Sequence, residues 1–178
     1  ILKMANRLGI PPAEANEKYP GIPEESRDLE ADALITLGKA RISPINMANA
    51  YGAIAAGGLR STVHVIEQVE DPRGSHEYTF KSPTKSVLDE DIASDVSYAM
   101  QQVVQNGTGQ AALALGRPAA GKTGTATNAK DQVSSAWFVG YTPQLATAVM
   151  YVRGDGDDQL DGWLPSYFGA LATAGIGS

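Results

Sequence analysis

Two incompatible structures fit the segment Gly116-Arg117-Pro118-Ala119-Ala120-Gly121-Lys122-Thr123-Gly124-Thr125-Ala126-Thr127. Gly116 to Thr123 satisfies G-x-x-x-x-G-K-[ST], the pattern of a phosphate-binding loop. Such a loop follows a strand and opens a helix, whose first N–H groups hold the phosphate. Here a glycine and alternating threonines come directly after Lys122, which makes a poor first helical turn and a good strand. No apolar helical stripe follows, and Arg153-Gly154 interrupts the segment Val149 to Asp155 before it can serve as the second acidic strand of a nucleotide site. Gly121 to Thr127 is therefore expected to be a strand. On it Thr123 and Thr125, two apart, share one face, and Thr127 continues that face.

Working outward, Ser135 to Tyr141 is apolar and aromatic, and Leu145 to Val152 follows after Thr142-Pro143-Gln144. Such short connections favour antiparallel pairing. Trp137 and Phe138 are expected in the sheet core, where aromatic side chains bury most area. Upstream, a helix is signalled from Asp89: Asp89, Glu90 and Asp91 put negative charge at the positive end of the helix dipole, and Asn106-Gly107 ends it. Ile92, Val96, Ala99 and Val103 are its expected buried stripe. Gly107-Thr108-Gly109 either closes this helix or shapes the rim of a cleft.

Thr62 to Val69 alternates as a strand would. Asp71-Pro72-Arg73-Gly74 is a turn, and Glu77 to Phe80 a returning strand. Ser43 caps a further helix with Pro44 at its first position. Met47, Ala48, Tyr51, Ile54 and Ala55 form its apolar stripe, and Gly57-Gly58 stops it. Before it, Pro11, Pro12, Pro20, Gly21 and Pro23 make an irregular connector, and the chain to about Gly9 reads as the end of a helix. Helices, a hairpin, a helix and a meander in that order make an α+β pattern.

Composition narrows the function. Net charge is −6, and no Lys/Arg-rich run stands out, so no nucleic-acid partner is expected. There is no cysteine, which excludes disulfides and thiolate metal sites. His64 and His76 lack any ligand cluster and read as exposed or strand-packed residues of a hairpin, so neither metal nor cofactor is expected. No apolar run reaches the roughly 18 residues of a membrane span. Ile1 to Ala5 resembles a helix interior cut open, and Ala170 to Ser178 is bland; both ends read as those of a piece of a longer chain.

Ser82-Pro83-Thr84-Lys85 fits S-x-x-K, where a helix would set Lys one turn from a nucleophilic Ser. Ser82 instead follows a strand and precedes a polar stretch, so it is expected in a solvated linker. Lys122-Thr123-Gly124 is K-T-G, which together with S-x-x-K and S-D-N marks penicillin-binding proteins and class A β-lactamases.

Several blocks in order resemble the transpeptidase domain of class A penicillin-binding proteins. They are Leu37-Gly38, then Ser43-Pro44-Ile45-Asn46-Met47-Ala48-Asn49-Ala50-Tyr51 with Ala56-Gly57-Gly58, and Val103-Val104 with Gly107-Thr108-Gly109 and Ala111-Ala112. Gly121-Lys122-Thr123-Gly124-Thr125 and Ala136-Trp137-Phe138-Val139-Gly140-Tyr141-Thr142-Pro143 complete the set. The resemblance covers nearly the whole chain. It implies a penicillin-binding-protein/serine β-lactamase-like α+β fold, an antiparallel sheet packed between helices, of which residues 1–178 are the C-terminal portion. The S-x-x-K helix and the S-x-N motif belong upstream by this likeness, and no S-x-N occurs here. Tyr167-Phe168-Gly169 resembles the start of the family's closing segment, which Ala174 to Ser178 does not continue.

The chemistry so implied is acyl transfer through an acyl-serine, breaking a D-Ala-D-Ala bond of a peptidoglycan stem peptide, with β-lactams as inhibitors. The substrate carries a carboxylate and passes through a tetrahedral oxyanion, so the site needs a cation, hydroxyl donors and an oxyanion hole. By resemblance Lys122 supplies the cation and faces the S-x-N serine. Thr123 and Thr125 bind the carboxylate through their hydroxyls, and the Thr125 backbone N–H completes the oxyanion hole. Gly124 admits the substrate close to the strand, and Thr127 is an outlying contact. The resemblance also implies an extracytoplasmic protein with an N-terminal anchor and a glycosyltransferase domain. A β-lactamase shares K-T-G, but the Ser43 to Gly58 block resembles the transpeptidases. A non-catalytic sensor binding β-lactam or peptidoglycan is the non-enzymatic alternative.

Overall fold

The computed structural model describes residues 1–13, 23, 26–73, 77–154 and 156–160. His76, Pro20, Gly21, Gly74 and the segment Tyr167 to Ser178 lie outside the described residues. The elements are α1 (Leu2–Leu8), α2 (Pro44–Ala55), β1 (Leu59–Ser61), β2 (Gln68–Glu70), β3 (Glu77–Thr79), β4 (Thr84–Ser86), α3 (Glu90–Asn106), β5 (Ala120–Thr127), β6 (Val133–Thr142) and β7 (Leu145–Val152). Two short 3-10 helices, Ala33–Leu37 and Gln110–Leu115, precede α2 and β5. This is the expected α+β architecture. Among the described residues no helix is long and apolar enough to cross a membrane.

Capping chemistry explains the helix limits. Gly9 ends α1 with φ of 100°, a left-handed conformation that suits glycine. Ser43 Oγ accepts from the Asn46 amide and Pro44 opens α2, as the sequence implied. Asp89 precedes α3, with Glu90 and Asp91 in its first turn. Asp32 caps the first 3-10 helix by accepting from the Leu34 and Ile35 amides at 2.7 and 3.0 Å.

The principal sheet has the order β5-β6-β7, every pair antiparallel, with Lys122 opposite Val139, Gly124 opposite Trp137 and Thr125 opposite Ala136. Opposed residues share a face and alternate residues change it. Ala120, Lys122 and Gly124 therefore lie on one face with Tyr141, Val139 and Trp137. Gly121, Thr123 and Thr125 lie on the other with Gly140, Phe138 and Ala136. Both long helices pack on the first face: Ile54 of α2 and Ala93 of α3 share one buried cluster with Leu88, Ala120 and Tyr141. A second cluster, Ile10, Leu29 and Ala50, seats α1 and its connector against the other flank of α2. On the second face Phe138 rests over Gly121 and Gly140. A Cβ on either glycine would stand 2.8 Å from its ring.

Three expectations need correction. Of the strand expected over Thr62 to Val69 only Gln68 and Val69 are strand, within β2; Thr62 to Glu67 is irregular and links β1, which pairs with β4, to β2, which pairs with β3 in a separate hairpin. Thr84, Lys85 and Ser86, expected in a solvated linker, are that β4 partner. In α3 the buried positions are Ala93 and Val104, with Val96 and Met100 packed on the cluster, while Ile92 is 47% exposed. Apolar residues occupy more of α3 than one stripe, and the small Ala93 is the side chain that fits beneath α2.

Gly58 joins these parts. Its amide donates to Ala53 O at 2.8 Å, and its carbonyl accepts from Val87 and Leu88 at 2.9 and 3.3 Å. Its φ is +91°, and a Cβ there would overlap the Leu88 carbonyl. Gly58→Ala is expected to destabilise the protein by more than about 2 kcal/mol, from left-handed strain plus a backbone clash. Urea unfolding of the variant measures it; a loss within error of zero would remove Gly58 from this role.

Candidate active site

The residues expected at the site are carried by β5, the outer strand of its sheet. Lys122 Nζ curls along the strand and donates to Thr123 O at 3.0 Å and to Thr123 Oγ1 at 3.4 Å. The Thr123 carbonyl thus points to the edge away from β6. In an antiparallel strand a residue's N–H and C=O point the same way and alternate along the chain. The Thr125 amide is accordingly on the same outer edge as the Thr123 carbonyl and the Lys122 ammonium. Among the described residues Lys122 meets no carboxylate, whereas Lys39 is held by Asp32 at 2.8 Å and Arg41 by Asp157 at 3.0 Å.

A cleft of about 620 Å³ runs along β5 and is lined by Lys122, Thr123, Gly124, Thr125 and Thr127. All the residues expected at the site border this one space. Its opposite wall is Met47 and Tyr51 of α2, its floor Trp137, Val139 and Met150, and Arg41 with Asp157 stands at one end. At the end of β5 the register shifts: Ala126 faces Ser135 and Thr127 faces Val133, which leaves Ser134 as the extra residue on β6. Gly124 has a packing reason of its own: a Cβ there would sit 3.3 Å from Trp137 Cβ. Trp137, expected as core, is half-buried and forms part of the cleft floor.

Gly116 to Thr123 is not a phosphate loop. Gly116, at φ +63°, ends a 3-10 helix, and Lys122 and Thr123 lie within β5, which runs on as a strand to Thr127. Ser82 and Lys85 share no helical turn either: Lys85 is in β4 opposite Arg60, and Ser82 Oγ donates to Thr62 O at 3.4 Å. His64 is a surface residue stacked on Phe80, ring centroids 4.3 Å apart.

One contact was not foreseen. Thr108 Oγ1 lies 2.6 Å from Thr123 Oγ1. Gly107-Thr108-Gly109 had pointed to a helix end or a cleft rim, and its threonine reaches the K-T-G strand itself.

The chain belongs to the penicillin-binding protein transpeptidase domain family, whose model matches residues 5–162. Among individual proteins it is similar to penicillin-binding protein 1A of Neisseria meningitidis, 37% identical over 130 residues, covering 70% of this chain and 16% of that protein. It is also similar to penicillin-binding protein 2a of Streptococcus pneumoniae, 34% identical over 143 residues, covering 79% of this chain and 19% of that one. The chain thus spans under a fifth of these relatives. The structure of PonA1 from Mycobacterium tuberculosis matches with a TM-score of 0.69 at 28% identity, over 89% of this chain and 42% of that one. PonA1 in complex with penicillin V matches with a TM-score of 0.66 at 26% identity, again over 89% of this chain and 42% of that one.

Behind the cleft, Tyr51 meets Tyr141 edge-on at 6.4 Å, and Tyr141 donates to Ser97 Oγ at 2.8 Å. Burial raises the Tyr51 phenol above its ordinary value, with Tyr141 adding to the shift. Burial also raises Tyr141, against the Ser97 hydrogen bond. The fold therefore keeps both phenols neutral at a pH where an unfolded chain has begun to ionise them. Their contribution is intact below about pH 10 and is lost as pH rises through the higher folded values. Urea unfolding from about pH 8 to pH 11 should show stability falling at the alkaline end, and Tyr51→Phe should flatten that fall. An equal fall in both proteins would refute the assignment.

Proposed function

We propose that these residues form the C-terminal portion of a single transpeptidase domain and supply the K-T-G wall of a peptidoglycan D,D-transpeptidase. The supporting observation is the shared outer edge of β5. It brings an ammonium without a carboxylate partner among the described residues, a threonine hydroxyl and the Thr125 amide to one side of one strand, over a cleft. An acyl-serine reaction on a substrate ending in a carboxylate calls for that set.

In this reading the stem peptide lies along β5. Lys122 supplies positive charge near the substrate carboxylate, and Thr123 and Thr125 donate their hydroxyls to it. The Thr125 N–H joins the nucleophile's own N–H around the oxyanion. Strand backbone and fixed side chains need little reorganisation when that charge develops, which is the basis of electrostatic preorganisation. The attacking serine and the S-x-N serine come from sequence upstream of these residues, so the cleft is completed by another part of the same protein. β-Lactams occupy the same place as acylating inhibitors. The structure of PonA1 in complex with penicillin V supports this. An extracytoplasmic location with a membrane anchor outside this chain, and a linked glycosyltransferase domain, complete the proposal.

Fluorescent penicillin tests it. In the full-length protein Lys122→Ala should slow acylation by about 100-fold or more, the scale of losing one preorganised charge contact. The fold should persist, because the Lys122 side chain is exposed. Residues 1–178 alone should remain unlabelled. Labelling at Ser82, or unchanged acylation of Lys122→Ala, would overturn the proposal.

A further inference from the structure

The contact between Thr108 and Thr123 goes beyond the expected machinery. A hydroxyl has one hydrogen to give and two lone pairs to receive. Lys122 Nζ, which can only donate, lies 3.4 Å from Thr123 Oγ1, and Thr108 Oγ1 lies 2.6 Å from the same atom. If Thr123 donates to Thr108, it has no hydrogen left for an anion. If Thr108 donates, both lone pairs of Thr123 are engaged, and its hydrogen is directed to the remaining side, where Thr123 lines the cleft.

Thr108 is held from outside the strand. The amides of Gly107 and Gly109 both donate to the Val103 carbonyl at 3.0 Å, so the loop folds back onto the last turn of α3. A Cβ at Gly107 would stand 3.0 Å from the Val103 Cα and carbonyl oxygen, and one at Gly109 would stand 3.2 Å from that oxygen. Glycine on each side is what allows this wrap, and it leaves Thr108 in a fixed place over β5. The α3 helix is in turn locked to β5 through the cluster of Ala93 and Ala120. One element supplies the hydroxyl that binds, and another supplies the partner that orients it.

We propose that Thr108 is a positioning residue for substrate recognition: its hydroxyl donates to Thr123 Oγ1 and so turns the Thr123 hydrogen toward the carboxylate of the substrate or β-lactam. Thr108 touches neither the substrate nor the reacting atoms. A carboxylate accepts only, so its arrival favours the arrangement in which Thr108 is the donor. The inference rests on the transpeptidase reading of the K-T-G strand.

Acylation kinetics on the full-length protein, with benzylpenicillin and its methyl ester, test the assignment. Thr108→Val keeps the shape and removes the donor; Thr108→Ser restores the donor. For benzylpenicillin, Thr108→Val should raise the half-saturating concentration about fivefold, the scale of one neutral hydrogen bond, with little change in the limiting rate. The ester, which lacks the anion, should be acylated by Thr108→Val as by the native protein, and Thr108→Ser should behave as native with both. Native-like handling of the acid by Thr108→Val, or equal slowing of acid and ester, would overturn the positioning role. Thr123→Val serves as reference. If it discriminates acid from ester while Thr108→Val does not, only the Thr108 assignment falls. If Thr123→Val and Lys122→Ala both leave acid acylation intact, the site reading falls and takes the assignment with it.

Discussion

Close approach of small side chains governs this structure. Ala93 of α3 is 1% exposed and Ala120 of β5 is 3% exposed, and both belong to the cluster in which helices and sheet meet. Gly52 of α2 faces Ala146 of β7, where a Cβ would find its neighbour at 3.7 Å. Residues this small let α2 and α3 lie near the same sheet face, and interiors packed at crystalline density leave little freedom to shift. The position of α3 relative to β5 follows from that contact. The Gly107-Thr108-Gly109 loop follows from α3, and the Thr108–Thr123 hydroxyl pair follows from the loop. A feature at the cleft rim is therefore fixed by alanines well away from it.

The same economy explains the cleft. Tyr51 and Tyr141 fill the space behind it with rings rather than aliphatic chains, and each ring carries a hydroxyl that burial keeps neutral. Trp137 spreads across the floor where Gly124 leaves room. The strand that bears Lys122 thus has a rigid aromatic backing and an open outer edge. That combination holds the polar groups of the strand at the border of the cleft.

Much of this was legible in the residues. Caps and breakers are local chemistry, so Ser43-Pro44, Gly9, Asp89 and the turn Thr142-Pro143-Gln144 marked their element ends directly. The strand character of Gly121 to Thr127 was also readable, because glycine and threonine disfavour the helix a phosphate loop needs. Pairing partners were not readable. Thr84 to Ser86 is polar and short, and only its alignment with Leu59 to Ser61 makes it a strand. The buried face of α3 escaped for a similar reason, since which stripe is covered depends on what α2 can accommodate. The family blocks brought Lys122, Thr123 and Thr125 to attention through their likeness. Thr108 stood in one of those blocks, yet its partner lies across a tertiary contact that no spacing encodes.

Phe138 has a consequence for how the segment reads as text. Its ring needs a bare patch, and Gly121 with Gly140 provides one. The glycine before Lys122-Thr123 is thus demanded by an aromatic on the far side of the sheet, whereas the lysine is presented at the outer edge. Gly116 is a third, unrelated requirement, the left-handed exit from a 3-10 turn. Three independent demands have spelled a nucleotide-loop signature by coincidence. A search built on letters alone would report a phosphate cradle where the chain has made a footrest for a phenyl ring.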